Sequence, residues 1–293
     1  MPRCRNCYVT LTYHIGRKDL RCHYCGYAEP GWDNCPRCGG ANIEYVGLGT
    51  QRVEDYIASR FPQATCARFD RDATRKKGST EAVLSDFGSG MVRFLVGTQM
   101  LAKGHDFKGV GLVVVVNADV SMNLPDFRSG ERTFQILTQV AGRAGRGEIP
   151  GKVLIQTFNP DHHSLSYVTS HDFKGFYLEE APLRQELGYP PFARLVRIVV
   201  EAKKQARAES AARRFAALAS RLAGDFKGKI DVIGPSRAPI SKVRNVYRWH
   251  LILKGEPGRN LSPFVRRCME RMRTGGPPNA VRFGIDVDPQ VMI

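Results

Sequence analysis

Between residues 45 and 160 the apolar positions switch repeatedly between two periods. Val53, Tyr56, Ile57 and Phe61 recur at helical spacing and the run stops at Pro62, which predicts a helix over residues 51–61. Residues 65–69 read as a short strand, and residues 92–96, 112–116 and 153–158 are short runs rich in β-branched side chains, the pattern of buried parallel strands. Helical spacing returns at residues 81–87, closed by Gly88, and at residues 134–140. Strands alternating with helices predict an α/β domain built on a parallel sheet.

The pattern changes after Asn159-Pro160. A helix is predicted over residues 173–187, ending at Gly188-Tyr189-Pro190-Pro191. Strand 193–201, helix 206–222, strands 230–233 and 247–253, helix 263–273 and strand 280–287 then follow. That βαββαβ order predicts a ferredoxin-like α+β domain, a fold that by itself implies no function. The expected organisation is a cysteine-rich module at 1–44, an α/β lobe at 45–160, a helical connector at 161–191 and an α+β domain at 192–293.

Composition narrows the partners. The 293 residues carry 44 Lys and Arg against 28 Asp and Glu, a net charge of +16, which favours a polyanion such as nucleic acid. No apolar run approaches the roughly 20 residues of a membrane span. The start, Met-Pro-Arg-Cys, has no signal-peptide apolar region, so a cytoplasmic location is expected.

Six of the eight cysteines lie in the first 38 residues as C-x2-C pairs, which indicates metal rather than disulfides. Cys4, Cys7, Cys22 and Cys25, with 14 residues between the pairs, have the spacing of a zinc ribbon with one closed structural Cys4 site. Cys35 and Cys38 form a third pair, half of a second site. Either His14 or His23 completes it, or its partner pair lies upstream; the second option is the expectation. Cys66 and Cys268 are expected to be ordinary buried thiols.

Two further stretches carry chemistry. Gln139-Val-Ala-Gly-Arg-Ala-Gly-Arg146 spaces two planar arginines with glycines between them, which suits bidentate contact with phosphate oxygens. It resembles the last motif of the second lobe of superfamily 2 helicases, with Gln139, Arg143 and Arg146 as the catalytic candidates. The loop from Gly97 to Phe107 follows a strand directly, at the edge where α/β sheets bind ligands. In it, Thr98 and Lys103 are DNA-phosphate candidates, and Gly104 and Asp106 are nucleotide-site candidates. Near the C-terminus, Arg237, Lys242, Arg244, Arg248 and Trp249 gather cations and an aromatic ring around one hairpin. Arg244 and Arg248 are expected to track phosphates and Trp249 to stack on bases, with a solvated basic edge strand as the plainer alternative.

Gly49-Thr50-Gln51-Arg52-Val53-Glu54, Phe69-Asp70-Arg71-Asp72, the 97–107 loop, Pro125-Asp126-Phe127-Arg128 and the 139–146 motif occur in that order after the cysteine module. Together they resemble the primosomal protein N′ family of replication-restart helicases over essentially the whole chain. The resemblance implies a RecA-like second helicase lobe belonging to an ATP-driven 3′-to-5′ DNA helicase. It also implies Mg-ATP, two structural zincs held by four cysteine pairs, and branched or single-stranded DNA as substrate. Single-strand-binding protein, received near Arg259, and other primosome proteins are the implied partners.

The chain departs from that pattern in what it lacks. It contains no G-x-x-x-x-G-K-[ST] phosphate loop and no D-E-x-H box, so it is expected to be a C-terminal part that is inactive alone. A non-catalytic zinc-containing DNA- and protein-binding module is the alternative. A ribosomal or tRNA-modifying zinc protein fits the charge but leaves the 139–146 motif unexplained.

Overall fold

A computed structural model of the chain describes residues 2–14, 17–36, 38–41, 49–70, 73–74, 78–102, 107, 109–145, 150–226, 228–274 and 280–292. The chain divides into two compact units, one of Met1–Tyr45, Pro125–Phe127 and Leu178–Ile293, the other of Val46–Leu124 and Arg128–Tyr177.

The first unit begins with three short strands, β1 (Thr12–His14), β2 (Asp19–Arg21) and β3 (Ala28–Pro30), paired antiparallel in that order. Its apolar core is small. Among the described residues, Leu11 and Leu20 are buried with Cys4, Cys7 and Cys22.

The second unit contains α1 (Thr50–Arg60), β4 (Cys66–Phe69), α2 (Ser79–Gly88), β5 (Phe94–Gly97) and a 3-10 turn at Gln99–Ala102. It continues with β6 (Leu112–Val115), α3 (Asp119–Met122), α4 (Ser129–Ala141), β7 (Lys152–Ile155), α5 (His163–Ser170) and the start of α6 (Phe173–Glu186). Its core is made by Ala118, Met122, Phe134, Leu137, Leu165, Val168 and Phe176. The Phe134 and Phe176 rings stack with centroids 4.7 Å apart, and His163 lies parallel to Phe176 at 5.8 Å.

The described strands of this unit are all parallel, as expected, but they form two pairs, β4–β5 and β6–β7, instead of one ladder. The expectation that β6 is buried on both faces also needs correction. Val115 and Ile155 face the helical core, whereas Leu112, Val114 and Leu154 are about half exposed, because period-2 alternation places them on the opposite face.

The C-terminal part of the first unit holds β8 (Arg194–Ala202), α7 (Gln205–Gly224), β9 (Ile230–Val243), β10 (Val246–Gly255), α8 (Ser262–Thr274) and β11 (Val281–Val287). The sheet order is β11-β8-β10-β9, antiparallel throughout. Helix α7 covers it with an alanine stripe: Ala208, Ala211, Ala212, Phe215, Ala216, Ala219 and Leu222 are buried at i, i+3, i+4 spacing. Alanine favours the helix and, being small, lets its axis approach the sheet closely.

Strand β9 runs 14 residues, far past the predicted 230–233, and pairs with β10 through register shifts that absorb its irregular middle. The two strands join through Arg244 and Asn245, at φ 49° and 63°. Positive φ at both central residues is what a two-residue hairpin turn with native twist demands.

Phe215 is fully enclosed beneath this sheet, against Phe283. Phe215→Ala is expected to cost about 3–5 kcal/mol of unfolding free energy. The midpoint of urea unfolding checks this, and a midpoint equal to the parent's would contradict it.

Candidate metal centre and arginine motif

The N-terminal module gathers Cys4, Cys7, Cys22 and Cys25, with their sulfurs within 4.8 Å of one another. Local backbone chemistry sets each pair. The amide of Tyr8 donates to Cys4 O at 2.8 Å and that of Cys4 to Val9 O at 2.8 Å; Gly26 N to Cys22 O, 2.9 Å, and Cys22 N to Tyr27 O, 2.8 Å, repeat the turn. The turn needs a left-handed residue after the second cysteine, supplied by Tyr8 at φ 55° and Gly26 at φ 76°.

The four sulfurs fit a zinc ion. Cys4 Sγ and Cys25 Sγ are 3.6 Å apart. Tetrahedral Zn–S bonds of about 2.3 Å would place sulfurs about 3.8 Å apart. Burial pushes the Cys7 thiol up to about 12. At Cys25 burial is outweighed by the Tyr27 amide and by the Cys4, Cys7 and Cys22 thiols, and the group falls to about 7. Four sulfurs crowded away from water favour a divalent cation that takes the place of their protons.

Cys35 and Cys38 sit on the same kind of turn. Gly39 N donates to Cys35 O and Cys35 N to Gly40 O, both at 2.8 Å, with Gly39 at φ 71°. Among the described residues these two cysteines do not gather with a third cysteine, histidine or carboxylate. His23 is exposed and its ring lies 5.3 Å from that of His14. Cys66 is half-buried and Cys268 fully buried; burial pushes the Cys268 thiol up to about 11, which keeps it protonated and unreactive.

In the second unit, the arginine motif begins on α4. Gln139 is exposed on its last turn and Arg143 is half-buried in the turn that follows, where Gly142 N reaches Thr138 O at 3.0 Å. Gly145, at φ 75°, donates to Val110 O at 3.1 Å, tying the turn to the residues before β6. Gly151 packs so tightly on Ala144 and Gly145 that a Cβ there would collide with their backbone. Arg146 lies outside the described residues, as do Lys103, Gly104 and Asp106.

Thr98 is exposed at the C-terminal end of β5. Because Phe69 pairs with Gly97, Asp70 and Thr98 leave their strands side by side. Asp70 is buried and accepts from Thr50 Oγ1 at 2.5 Å and from Ala73 N at 2.8 Å; it is ion-paired with Arg68 at 2.9 Å, and Arg68 also meets Glu54 at 3.6 Å. Sequence reasoning quoted these residues but assigned them no role. The available signal was an aspartate directly after a strand, matched by a threonine at a helix start.

The C-terminal hairpin corrects one expectation. Trp249 is 8% exposed and belongs to the sheet core with Leu251 and Leu253, so no ring face is open for a base to stack on. Arg248 is paired with Glu201 at 3.2 Å, and Arg244 Nε donates to Tyr24 O at 3.0 Å. Arg259 lines a cavity of about 320 Å³ with Arg194, Asn260 and Asp288, meets Glu256 at 3.6 Å, and packs against Gly228.

Comparison with known proteins finds three family descriptions along the chain. Residues 4–30 match the PriA DNA helicase Cys-rich region domain, residues 43–148 the helicase conserved C-terminal domain, and residues 185–290 the primosomal protein N C-terminal domain. Proteins named replication restart protein PriA are similar throughout. That of Bacillus subtilis is 40% identical over 100% of this chain and 36% of its own length. That of Synechocystis is 40% identical over 98% of this chain and 34% of its own. That of Haemophilus influenzae is 37% identical over 99% of this chain and 39% of its own. The chain thus spans a little over a third of the curated relatives it matches. No helix among its described residues is long and apolar enough to cross a membrane.

The metal centre yields a direct test. Zinc at Cys4, Cys7, Cys22 and Cys25 is expected to be retained by Cys268→Ser and lost from that site by Cys7→Ser, measured as zinc per chain by plasma mass spectrometry. Equal zinc in both variants would contradict the ligand set.

Proposed function

The chain belongs to the primosomal protein N′ (PriA) family, and from that premise we propose that it supplies one lobe of a DNA motor. In this reading it is the zinc region, second helicase lobe and C-terminal domain of an ATP-driven 3′-to-5′ DNA helicase. The whole protein reloads replication at abandoned forks in the cytoplasm. The observation that carries the proposal is the Q-x-x-G-R-x-G-R motif at the end of α4, on a turn braced by Gly145 and Gly151.

The second unit is a RecA-like lobe. Gln139, Arg143 and Arg146 face Mg-ATP gripped by another lobe, where the two arginines neutralise charge on the γ-phosphate oxygens. Gly104 and Asp106 link that site to Thr98 and Lys103, which meet DNA phosphates. The position of Asp70 beside Thr98, one residue past the Phe69–Gly97 pair, and the contacts that hold Asp70 support this edge as the working edge of the lobe.

The C-terminal sheet, in order β11-β8-β10-β9 under two helices, reads as ferredoxin-like. Its basic surface and the net charge of +16 suit branched or single-stranded DNA. Arg259, at its cavity, is the candidate for the acidic tail of single-strand-binding protein, with other primosome proteins as further partners. Cys35 and Cys38, already on a ligand turn, form half of a second zinc site whose other pair the wider protein provides.

A second reading, a non-catalytic zinc-containing DNA- and protein-binding module, is favoured for this chain by itself by the lack of a phosphate loop in its 293 residues. The two readings part on turnover in the full-length protein. There Arg143→Ala is expected to lower DNA-stimulated ATP hydrolysis at least about 10³-fold with zinc content unchanged. Turnover equal to the parent's would overturn the motor assignment.

A further inference from the structure

Nothing assigned so far explains why a hairpin turn from the C-terminal sheet lies against the first cysteine knuckle. The Arg244 amide donates to Cys7 Sγ at 3.2 Å, and the Asn245 amide donates to Asn6 O at 2.9 Å. Asn245 and Asn6 also join side chain to side chain at 3.3 Å, and Val243 packs on the cysteine cluster. These partners are some 240 positions apart in the chain yet lie within one compact unit.

A lysine completes the contact. Lys242 is 8% exposed, and its Nζ donates to Arg5 O at 2.9 Å. The same ammonium stands 4.4 Å from the Tyr8 ring centroid and 5.1 Å from that of Tyr247, and the two hydroxyls are 3.4 Å apart. One ring comes from the knuckle and the other from β10. A desolvated ammonium between two aromatic faces gains more from cation–π attraction than an exposed one does. Arg244 holds a left-handed backbone without being glycine, a conformation that persists where surrounding contacts over-determine it.

We infer that the β9–β10 turn is the outer shell of the metal centre. The Arg244 amide is a positioning donor to the Cys7 thiolate, and Lys242 is the bolt that keeps it there. An N–H aimed at a thiolate sulfur draws off negative charge and fixes the sulfur's direction, so it strengthens the hold on a cation. The coupling is reciprocal: metal at the four sulfurs holds the turn, and the turn holds the metal. The inference rests on the zinc reading of the cysteine cluster.

The test uses the zinc-loaded full chain and competition with a chromophoric chelator. Lys242→Met, which leaves all ligands and the Arg244 amide in place, is expected to weaken zinc binding about 10–100-fold, the usual cost of losing an outer-shell partner. Arg244→Gly keeps the N–H and suits the positive φ, whereas Arg244→Pro removes the N–H; the glycine variant is expected to hold zinc at least about ten-fold more tightly than the proline variant.

Far-UV circular dichroism of each variant separates these effects from unfolding, and where Arg244→Pro unfolds the chain, Lys242→Met alone decides. In the converse arm, stripping zinc is expected to speed amide exchange at Arg244 and Asn245 while Ile198 and Leu251 stay protected. Zinc affinity unchanged in Lys242→Met, with exchange at Arg244 indifferent to zinc, would overturn the inference. A parent chain that binds no zinc would sink the underlying reading instead.

Discussion

Four sulfurs held within 4.8 Å of one another are the constraint on which the first unit depends. The N-terminal strands are three residues each, and among the described residues Leu11 and Leu20 are the fully enclosed apolar side chains that join the cysteines. So little burial cannot offset the entropy of ordering the segment, and a structural metal supplies the difference. The same cluster is where the β9–β10 turn lands, so its consequences extend to the C-terminal sheet. That sheet has a conventional core, built from β8, β10, α7 and α8, which gives the turn a rigid base.

The second unit follows a different logic. Its core of stacked aromatics lies around α4, and its proposed chemistry lies at the ends of elements, on the turn after α4 and on the edge where β4 and β5 finish. A packed helix fixes the direction in which the motif leaves it, and the glycines allow the close approach of Gly145 and Gly151 that shapes the turn. In the proposed function, this turn offers Arg143 to a phosphate without enclosing it. That suits a lobe which completes a nucleotide site and does not contain one.

Much of this was legible in the residues. The cysteine spacing pointed to the metal site, and the helical periodicities of α1, α7 and α8 placed those helices to within a residue or two. The arginine motif stood out because few uses require two arginines at that spacing. Trp249 shows what was misread. It is in phase with Leu251 and Leu253 along β10, so alternation already put it inside, but the basic residues around it suggested a DNA surface. Lys242 was beyond reach, since its partners Arg5, Tyr8 and Tyr247 meet only through tertiary folding. The length of β9 was hidden by Gly234-Pro235 and Pro239, which read as breaks but are absorbed by register shifts on an edge strand. The half-exposed face of β6 was missed because a β-branched run looks alike whether one face is covered or two.

The central claim is that this chain carries the arginine side of an ATP site and not the phosphate-gripping side. The most direct measurement is ATP hydrolysis by the zinc-loaded chain alone, with and without single-stranded DNA, beside Arg143→Ala. The account expects no hydrolysis above the variant's background under either condition. DNA-stimulated hydrolysis by the chain that disappears in Arg143→Ala would mean that a complete nucleotide site exists within these residues, and would contradict it.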